Sequence, residues 1–343
     1  MDKSILKKMA EHCWAILPSA LETAVASVEA GLPVEAAAKR PMSRAGAVAI
    51  VPLQGVLRQK GSTFMDELFG DGGGSTERFA ANIRRLAADE SIGTIVLDVH
   101  SPGGEVFGTQ EAADAVWEAR QSKKVVAVIN SLGASAAYWI ASQAHEIIAS
   151  PSSLTGSIGI IAIHQELSKA AEMAGVGITI MSAGKLKAEI NDFEPLTDEA
   201  KAGIQHQLDE YYAQFVAAVA RGRKVSQASV KAGFGQGRVL TSKDAVSAGL
   251  ADRIGTMRDV IGGLGASPEG MAAMAVDRGR ICACGHDEAA HDGQEFACFA
   301  GMTSEGSSDK PGCECTLFAE AGDPAAQHQR EREKWRYAEL GSR

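Results

Sequence analysis

Between residues 94 and 181, short apolar runs of high β propensity alternate with helical patterns along the chain. The apolar runs predict buried strands over residues 94–99, 125–129, 146–149, 158–163 and 178–181. The helical patterns between them cover residues 106–120, 135–143 and 166–174. Neighbouring parallel strands need a connection of a dozen or more residues, which is usually a helix. Strands that alternate with helices are therefore expected to run parallel. The sequence therefore predicts an α/β fold, with a parallel sheet and helices on both of its faces.

The segments around this region suggest five parts. Residues 1–45 are interpreted as an N-terminal helical leader (helix, turn, helix), with Pro18 and Ser19 as helix start signals. Residues 46–262 form the main α/β domain, whose first strand is predicted over residues 48–57. A linker (263–280), a small Cys/His-rich extension (281–318) and a charged helical tail (319–343) follow.

Late in the main domain, apolar residues spaced by three and by one predict an amphipathic helix. These residues are Leu208, Tyr211, Tyr212, Phe215, Val216 and Val219. Such a stripe indicates a core face or a subunit interface rather than a substrate groove.

Composition excludes some classes of function. The formal net charge of -9 argues against non-specific nucleic-acid binding. No apolar run has the length that a membrane span needs. Lysines near the N-terminus are not followed by an apolar signal region, because Glu11 and His12 interrupt it. We therefore expect neither a nucleic acid nor a membrane as partner.

Ser135 lies at a turn between an apolar strand run and a small-residue helical pattern. Its neighbours Ala134, Ala136 and Ala137 leave the hydroxyl unobstructed. The first amides of a helix are unpaired and favour negative charge. This setting suits a nucleophilic serine, although a serine at a helix start is more often only a cap.

Two further stretches suit the same chemistry. Pro102, Gly103 and Gly104 follow a strand-like run, and glycines let backbone amides turn towards a ligand, as an oxyanion hole requires. Lys185 and Lys187 follow the run 178–181. A lysine near a serine serves as general base when burial lowers its pKa. Taken singly, these stretches are equally compatible with a tight turn and with solvated loop charges.

Together, in this order, the motifs resemble the signal peptide peptidase A (SppA) family of serine peptidases. The matching segments are 101–104 (Ser-Pro-Gly-Gly), 134–139 (Ala-Ser-Ala-Ala-Tyr-Trp), 155–159 (Thr-Gly-Ser-Ile-Gly) and 184–187 (Gly-Lys-Leu-Lys). One departure is the Ala136-Ala137 pair, where the family often has two glycines. The resemblance covers roughly residues 46–262.

The resemblance implies a Ser-Lys dyad in which Ser135 is the nucleophile and Lys187 the base. It implies that Ser157 orients the lysine, and that Gly103 or Gly104 meets the oxyanion together with Ala136. It also implies a Clp-protease/crotonase-like β-α superhelix and a ring-shaped homo-oligomer. Catalysis by such a site needs no cofactor.

The missing anchor and the Trp-Ala-Ile-Leu-Pro segment at 14–18 resemble the phage head maturation (capsid assembly) proteases of this family. That branch implies scaffold, capsid or portal precursors as substrates, and action in the host cytoplasm or inside the procapsid.

Several alternatives remain open at this stage. His100 beside the glycine turn is a rival base, and Lys185 is another. The chain could instead be a bacterial signal-peptide-peptidase-like protease that degrades peptides. A crotonase-like acyl-CoA enzyme would share the fold without needing Ser135, and a non-catalytic zinc-bearing assembly protein would need neither proposed dyad residue.

Five of the six cysteines lie between residues 281 and 318, together with two histidines. Zinc takes four N or S ligands, so the cluster offers more candidates than one ion needs. The candidates are Cys282, Cys284, His286, His291, Cys298, Cys313 and Cys315. The preferred four are Cys284, His291, Cys298 and either Cys313 or Cys315. We expect a structural zinc site rather than disulfides, which a reducing cytoplasm disfavours.

Overall fold

The structure, a computed structural model, describes residues 13–29, 42–60, 74–265 and two short strands at 281–282 and 318–319. The chain divides into two units, Met1–Met271 and Ala272–Arg343. The strands of the first unit are β1 (Cys13–Ile16), β2 (Ser43–Ala45), β3 (Val48–Gln54), β4 (Thr94–Ser101), β5 (Gly103–Glu105), β6 (Lys124–Ala134), β7 (Glu146–Ala149), β8 (Leu154–Gly156), β9 (Ile161–Ala162), β10 (Val239–Thr241) and β11 (Arg253–Ile254). Its helices are α1 (Pro18–Glu29), α2 (Thr76–Ala88), α3 (Thr109–Ala119), α4 (Ala136–Ala141), α5 (Ser168–Met173), α6 (Asp198–Arg223), α7 (Gln227–Gly233), α8 (Ser242–Ser247) and α9 (Met257–Gly263).

An eight-stranded sheet forms the centre of this unit. Six of its strands follow the order β10-β8-β6-β4-β3-β2, and β7 and β11 continue it from β6. β3, β4, β6 and β7 run parallel, whereas β2 and β10 pair antiparallel at the margins. Residues 95–97 and 125–129 are fully or almost fully buried, because helices cover the sheet on both faces. The predicted mixed α/β fold with a parallel sheet is confirmed.

The helices follow the predicted patterns. α3, α4 and α5 lie within the three predicted helical ranges. Ser75 precedes α2, and its side chain accepts a hydrogen bond from the Arg78 amide and so caps the helix. α6 buries Phe215, Val216 and Val219 against the core, which confirms the amphipathic stripe as a core face.

Two predicted strands are wrong in whole or in part. Residues 178–181 form no strand, and Ile178 and Met181 are exposed. Of residues 158–163, only Ile161–Ala162 is a strand, and it belongs to a separate small sheet. An apolar β-branched run becomes a strand only where a neighbouring edge offers hydrogen bonds. Here β11 pairs with β7 and takes the position beside it.

The leader also departs from its predicted helix-turn-helix form. Helix α1 begins at Pro18 as predicted, but Cys13–Ile16 is a strand. This strand lies between β5 and β9 in a three-stranded antiparallel sheet. The remaining leader residues, 1–12 and 30–41, lie outside the described part of the chain.

In the second unit, the structure describes one antiparallel pair, β12 (Ile281–Cys282) with β13 (Phe318–Ala319). Apart from the backbone of Cys282, the predicted zinc ligands lie outside the described residues, as does most of the charged tail. Within the described residues, no group of acidic, histidine and cysteine side chains has the arrangement of a metal site. No helix in the described ranges is both long and apolar enough to cross a membrane.

Candidate active site

Ser135 lies between the end of β6 and the start of α4. Its backbone is left-handed, with φ 55° and ψ −122°, a conformation that costs a residue other than glycine free energy. The Ser135 amide donates to the Gly156 carbonyl at 2.7 Å, which fixes the turn against β8. The side chain is fully buried, and its Oγ has no hydrogen-bond partner among the described residues. A buried hydroxyl left unpaired is costly, so the Ser135 side chain contributes no stabilising hydrogen bond to the fold.

Gly103 is the nearest element of the glycine turn to Ser135. Its φ is 100°, in the region that favours glycine. A Cβ placed on Gly103 would lie 2.9 Å from the Ser135 Cβ and 3.0 Å from the Ala136 nitrogen. Ala136 is the first residue of α4, so its amide lacks an acceptor within that helix. The structure thus brings together three of the predicted site residues: Ser135, Gly103 and Ala136.

Ser101 and Leu57 hold the glycine turn in place. The Gly103 amide donates to the Ser101 Oγ at 3.1 Å, and that hydroxyl donates to the Gly55 carbonyl at 2.6 Å. The Leu57 amide donates to the Gly103 carbonyl at 2.8 Å. Gly104 faces Leu57, since a Cβ there would lie 1.9 Å from the Leu57 carbonyl oxygen. Gly103 is therefore the glycine beside the serine, and Gly104 allows the close backbone packing behind it.

Ser157 adjoins the site through the backbone. It follows Gly156, whose carbonyl receives the Ser135 amide. Its φ is 54°, its amide donates to the Arg238 carbonyl at 2.8 Å, and its side chain is buried. Two serines with left-handed backbones therefore lie at the ends of neighbouring strands β6 and β8.

Lys187 lies apart from this group. Its side chain is exposed and makes no hydrogen bond or ion pair with a described residue, whereas its amide donates to the Gly184 carbonyl at 3.1 Å. Lys185 forms an exposed ion pair with Glu199 at 2.9 Å. Within this single chain, neither lysine contacts Ser135, so the dyad with Lys187 stays a prediction.

The rival base His100 contacts a different serine. Its Nδ1 lies 2.8 Å from the Ser131 Oγ and 3.0 Å from the Asn130 carbonyl oxygen. The pairing register of β4 with β6 shifts between Val99 and His100. His100 therefore faces residues 130 and 131 of β6 rather than Ser135.

Helix α4 is anchored from behind by aromatic packing. The rings of Trp139 and Phe215 stack with centroids 4.5 Å apart and planes inclined by 10°. The Tyr138 hydroxyl donates to the Leu250 carbonyl at 2.9 Å, and burial raises the pKa of this phenol. All three side chains are fully buried. The helix that begins beside Ser135 is thus fixed to α6 and to the segment after α8.

Strand β1 is the part of the site that sequence reasoning missed. Ala15 lies opposite Gly104 and Ile16 opposite Gly103, so the strand runs directly along the glycine turn. The available signal was the apolar run 13–16 before Leu17 and Pro18, since a short apolar run ended by proline is a strand pattern as well as a helix approach.

A cavity of about 750 Å³ adjoins β1 and β9. Its lining is mainly apolar and includes Cys13, Ile163, Ile178, Ile190 and Phe193. Ser135 does not line it. The cavity lies on the side of β9 and has room for apolar side chains.

Residues 118–266 match the family model described as peptidase family S49. Protease 4 of Salmonella typhi is 32% identical over 224 residues, which are 65% of this chain and 35% of that protein. Head-tail preconnector protein GP5 of Enterobacteria phage P21 is 30% identical over 181 residues, 53% of this chain and 36% of that protein. Capsid assembly protease C of Escherichia phage lambda is 29% identical over 181 residues, 53% of this chain and 41% of that protein.

The chain spans between 35% and 66% of the length of these and two other curated relatives. The matched region includes Ser135, Ser157 and Lys187, and the glycine turn lies just before it. The motif order and the α/β fold agree with the match of residues 118–266 to peptidase family S49.

Proposed function

We propose that this chain is a serine endopeptidase in which Ser135 is the nucleophile. The observation that carries the proposal is the Ser135 hydroxyl, buried and without a partner among the described residues, at the start of α4 and beside Gly103. The Ala136 amide is free to bind a developing oxyanion, because a first-turn amide has no acceptor in its own helix. The protease names of several relatives support the same reaction class.

In the proposed mechanism, Lys187 takes the proton of Ser135, and the serine oxygen attacks a peptide carbonyl. The proton then passes to the leaving amine, and water hydrolyses the acyl-enzyme. A lysine is a base only when neutral, so Lys187 must leave the solvent and lie beside Ser135 in the active form. We infer that a homo-oligomeric ring provides this environment.

Exposed apolar side chains near Lys187 support an assembly. Met173, Val176, Met181, Leu186 and Ile190 are all more than 45% exposed. Apolar residues gathered on one surface segment are typical of a subunit interface. In a ring, this segment of one subunit would cover a neighbour and desolvate Lys187.

For the substrates, we propose scaffold, capsid or portal precursors of a phage or prophage, processed in the host cytoplasm or inside the procapsid. The relatives named as a capsid assembly protease and a head-tail preconnector protein support this assignment. We also infer the Clp-protease/crotonase-like superhelix for residues 46–262, which the parallel order of β3, β4, β6 and β7 supports.

For the C-terminal extension, we propose a structural zinc ion held by four of its cysteines and histidines. The glycine-rich and acidic sequence between these residues cannot form a core, so a metal would supply the folding free energy. Atomic emission measurement of purified protein should give about one zinc per chain. Substitution of Cys284 and Cys298 together by serine should remove it, whereas serine at Cys13 should not.

Proteolysis by purified protein tests the peptidase proposal. Intact mass spectrometry would follow a denatured carrier protein over time with the native chain, Ser135→Ala and Lys187→Ala. We expect cleavage by the native chain alone. Lys185→Ala is the matched control, because Lys185 is the neighbouring lysine and forms only an exposed ion pair with Glu199.

Each result distinguishes between assignments of the catalytic residues. Cleavage that persists in Ser135→Ala would show that Ser135 is not the nucleophile. Cleavage lost in Lys185→Ala but retained in Lys187→Ala would move the base to Lys185. Comparison of purified capsid and scaffold precursors with signal peptides as substrates separates the phage role from a peptide-degrading one.

A further inference from the structure

We propose that β1 is an internal inhibitor: Cys13–Ile16 occupies the slot in which a substrate peptide binds, and it must withdraw before cleavage. The slot is the space between β5 and β9, which β1 fills in the order β5-β1-β9. The inference rests on the proposed function of Ser135 as nucleophile. It adds a mechanism that controls the access of substrate to the nucleophile.

The backbone of β1 is bound as a peptide ligand would be. On one side Ala15 lies opposite Gly104, and on the other Trp14 lies opposite Ile161, both in antiparallel register. The Leu17 amide donates to the Pro102 carbonyl at 2.8 Å, beyond the end of the paired strand. Addition of a strand to an exposed edge is a general mode of peptide recognition, in which main-chain hydrogen bonds supply affinity.

The Ala15 carbonyl of β1 approaches Gly103 on the side on which Gly103 also meets Ser135. A Cβ on Gly103 would lie 2.2 Å from the Ala15 carbonyl oxygen, 2.9 Å from the Ser135 Cβ and 3.0 Å from the Ala136 nitrogen. The Ala15 carbonyl therefore lies next to both the serine and the amide proposed to bind the oxyanion. Ala15 is fully buried, so no other peptide reaches this point while β1 is in place.

The side chains of β1 divide between two clusters. Cys13 and Ala15 join the main core, whereas Trp14 and Ile16 pack with Leu21 of α1 in a small separate cluster. That cluster is shared between residues of α1 and three residues of the main domain, Val56, Ile161 and Ile163. Withdrawal of β1 with α1 would leave most of the main core intact.

Cys13 and Ala162 are direct partners in the register of β1 with β9, which allows β1 to be locked in place. Opposed residues of antiparallel strands have Cβ atoms about 4.5–5.5 Å apart, close enough for a disulfide after small adjustment. In Ala162→Cys, oxidation should join Cys13 to the new cysteine, and peptide mapping would verify the bridge. Ala162→Ser, oxidised in the same way, is the control.

We expect the bridged protein to cleave an added denatured carrier protein about tenfold more slowly or worse than its reduced form, because β1 can no longer leave. Reduction should restore the rate, and Ala162→Ser should not respond to oxidant. In Ala15→Asp, a carboxylate in the buried slot should expel β1 and raise the rate. Equal rates for the bridged and reduced forms would overturn the proposal, even though cleavage itself would uphold the peptidase.

Hydrogen exchange gives a readout that does not depend on cleavage. An inhibitor strand that withdraws should open locally, so amides of residues 14–16 should exchange at least about tenfold faster than those of β4 in the native protein. If these amides exchange only when the amides of β4 exchange, β1 does not withdraw locally, and the proposal is overturned. Local opening in a protein that cleaves nothing would uphold the withdrawal of β1 and count against the peptidase.

Discussion

The Cα of Gly103 faces the side chain of Ser135 so closely that a methyl group on it would lie 2.9 Å from the Ser135 Cβ. Strand β5 and helix α4 thus meet at one glycine and one serine, and both residues have left-handed backbones. This meeting point leads to the first prediction.

Gly103→Ala should reduce cleavage at least about 100-fold, because the added methyl group would displace Ser135 from its position. The added methyl group meets Ser135 and the Ala15 carbonyl, and φ 100° is strained for alanine. Initial rates on a denatured carrier protein measure the effect. Gly46→Ala is the control, because Gly46 also has a positive φ but nothing lies within 4 Å of its Cβ position. Similar rates for the two variants would show that cleavage does not depend on the close approach of Gly103 to Ser135.

If a ring completes the dyad between subunits, mixing of inactive variants should restore activity. Lys187 is exposed and lies apart from Ser135 of its own chain. After subunit exchange between Ser135→Ala and Lys187→Ala, we expect up to about a quarter of the native rate, since half of the serines and half of the lysines are intact in a symmetric assembly. No recovery in verified mixed oligomers would place both residues of each dyad in one chain.

Phe215→Ala should destabilise the protein by about 3–5 kcal/mol, as expected for loss of a fully buried aromatic ring. The ring stacks on Trp139 of α4, the helix that Ser135 precedes, so the cleavage rate should fall as well. Urea unfolding measures the change in stability. Phe107→Ala, at a 40% exposed phenylalanine, should cost about 1 kcal/mol or less. Equal losses for the two variants would show that the stack contributes nothing beyond surface packing.

Asp252 should stabilise the protein in a pH-dependent manner. Burial raises its pKa, but hydrogen bonds from Arg223 and from the Ile147 amide outweigh burial and lower the pKa below its ordinary value. A carboxyl whose pKa is lower in the folded state contributes stability above its unfolded pKa of about 3.9, and this contribution is lost as the pH falls through the folded pKa.

Asp252→Asn should therefore lower the free energy of unfolding by about 1–2 kcal/mol at pH 7, a figure reduced because the Asp252 side chain is partly exposed. The difference from the native protein should shrink as the pH falls below about 4. Chemical unfolding at a series of pH values tests this. Asp209→Asn, at an exposed residue, should change little. A constant difference across the series would rule out ionisation of Asp252 as the cause.

Local sequence was sufficient for much of the site. The small residues around Ser135 and the glycines at 103 and 104 determine turns that only such residues can form, because the positive φ at Gly103 and the close approach of Leu57 exclude side chains. The strands predicted at 94–99 and 125–129 were evident for a similar reason, and the structure extends them to 94–101 and 124–134. A strand buried on both faces needs a continuous apolar run, and such runs are visible in sequence.

Strand pairing could not be predicted in the same way. The run at 178–181 has the composition of a strand but pairs with no described strand. Residues 13–16 were expected to approach a helix and instead pair with β5 and β9. Whether an apolar run becomes a strand depends on partners far away along the chain.

The sequence by itself determined the alternation of strands and helices, the turn at Ser135 and the motifs of peptidase family S49, because these depend on residues adjacent in the chain. Only the tertiary structure decided that Gly103 rather than Gly104 faces the serine, that His100 contacts Ser131, and that β1 lies across the site. These are contacts between segments far apart in sequence, and their free energies arise only when the chain has folded.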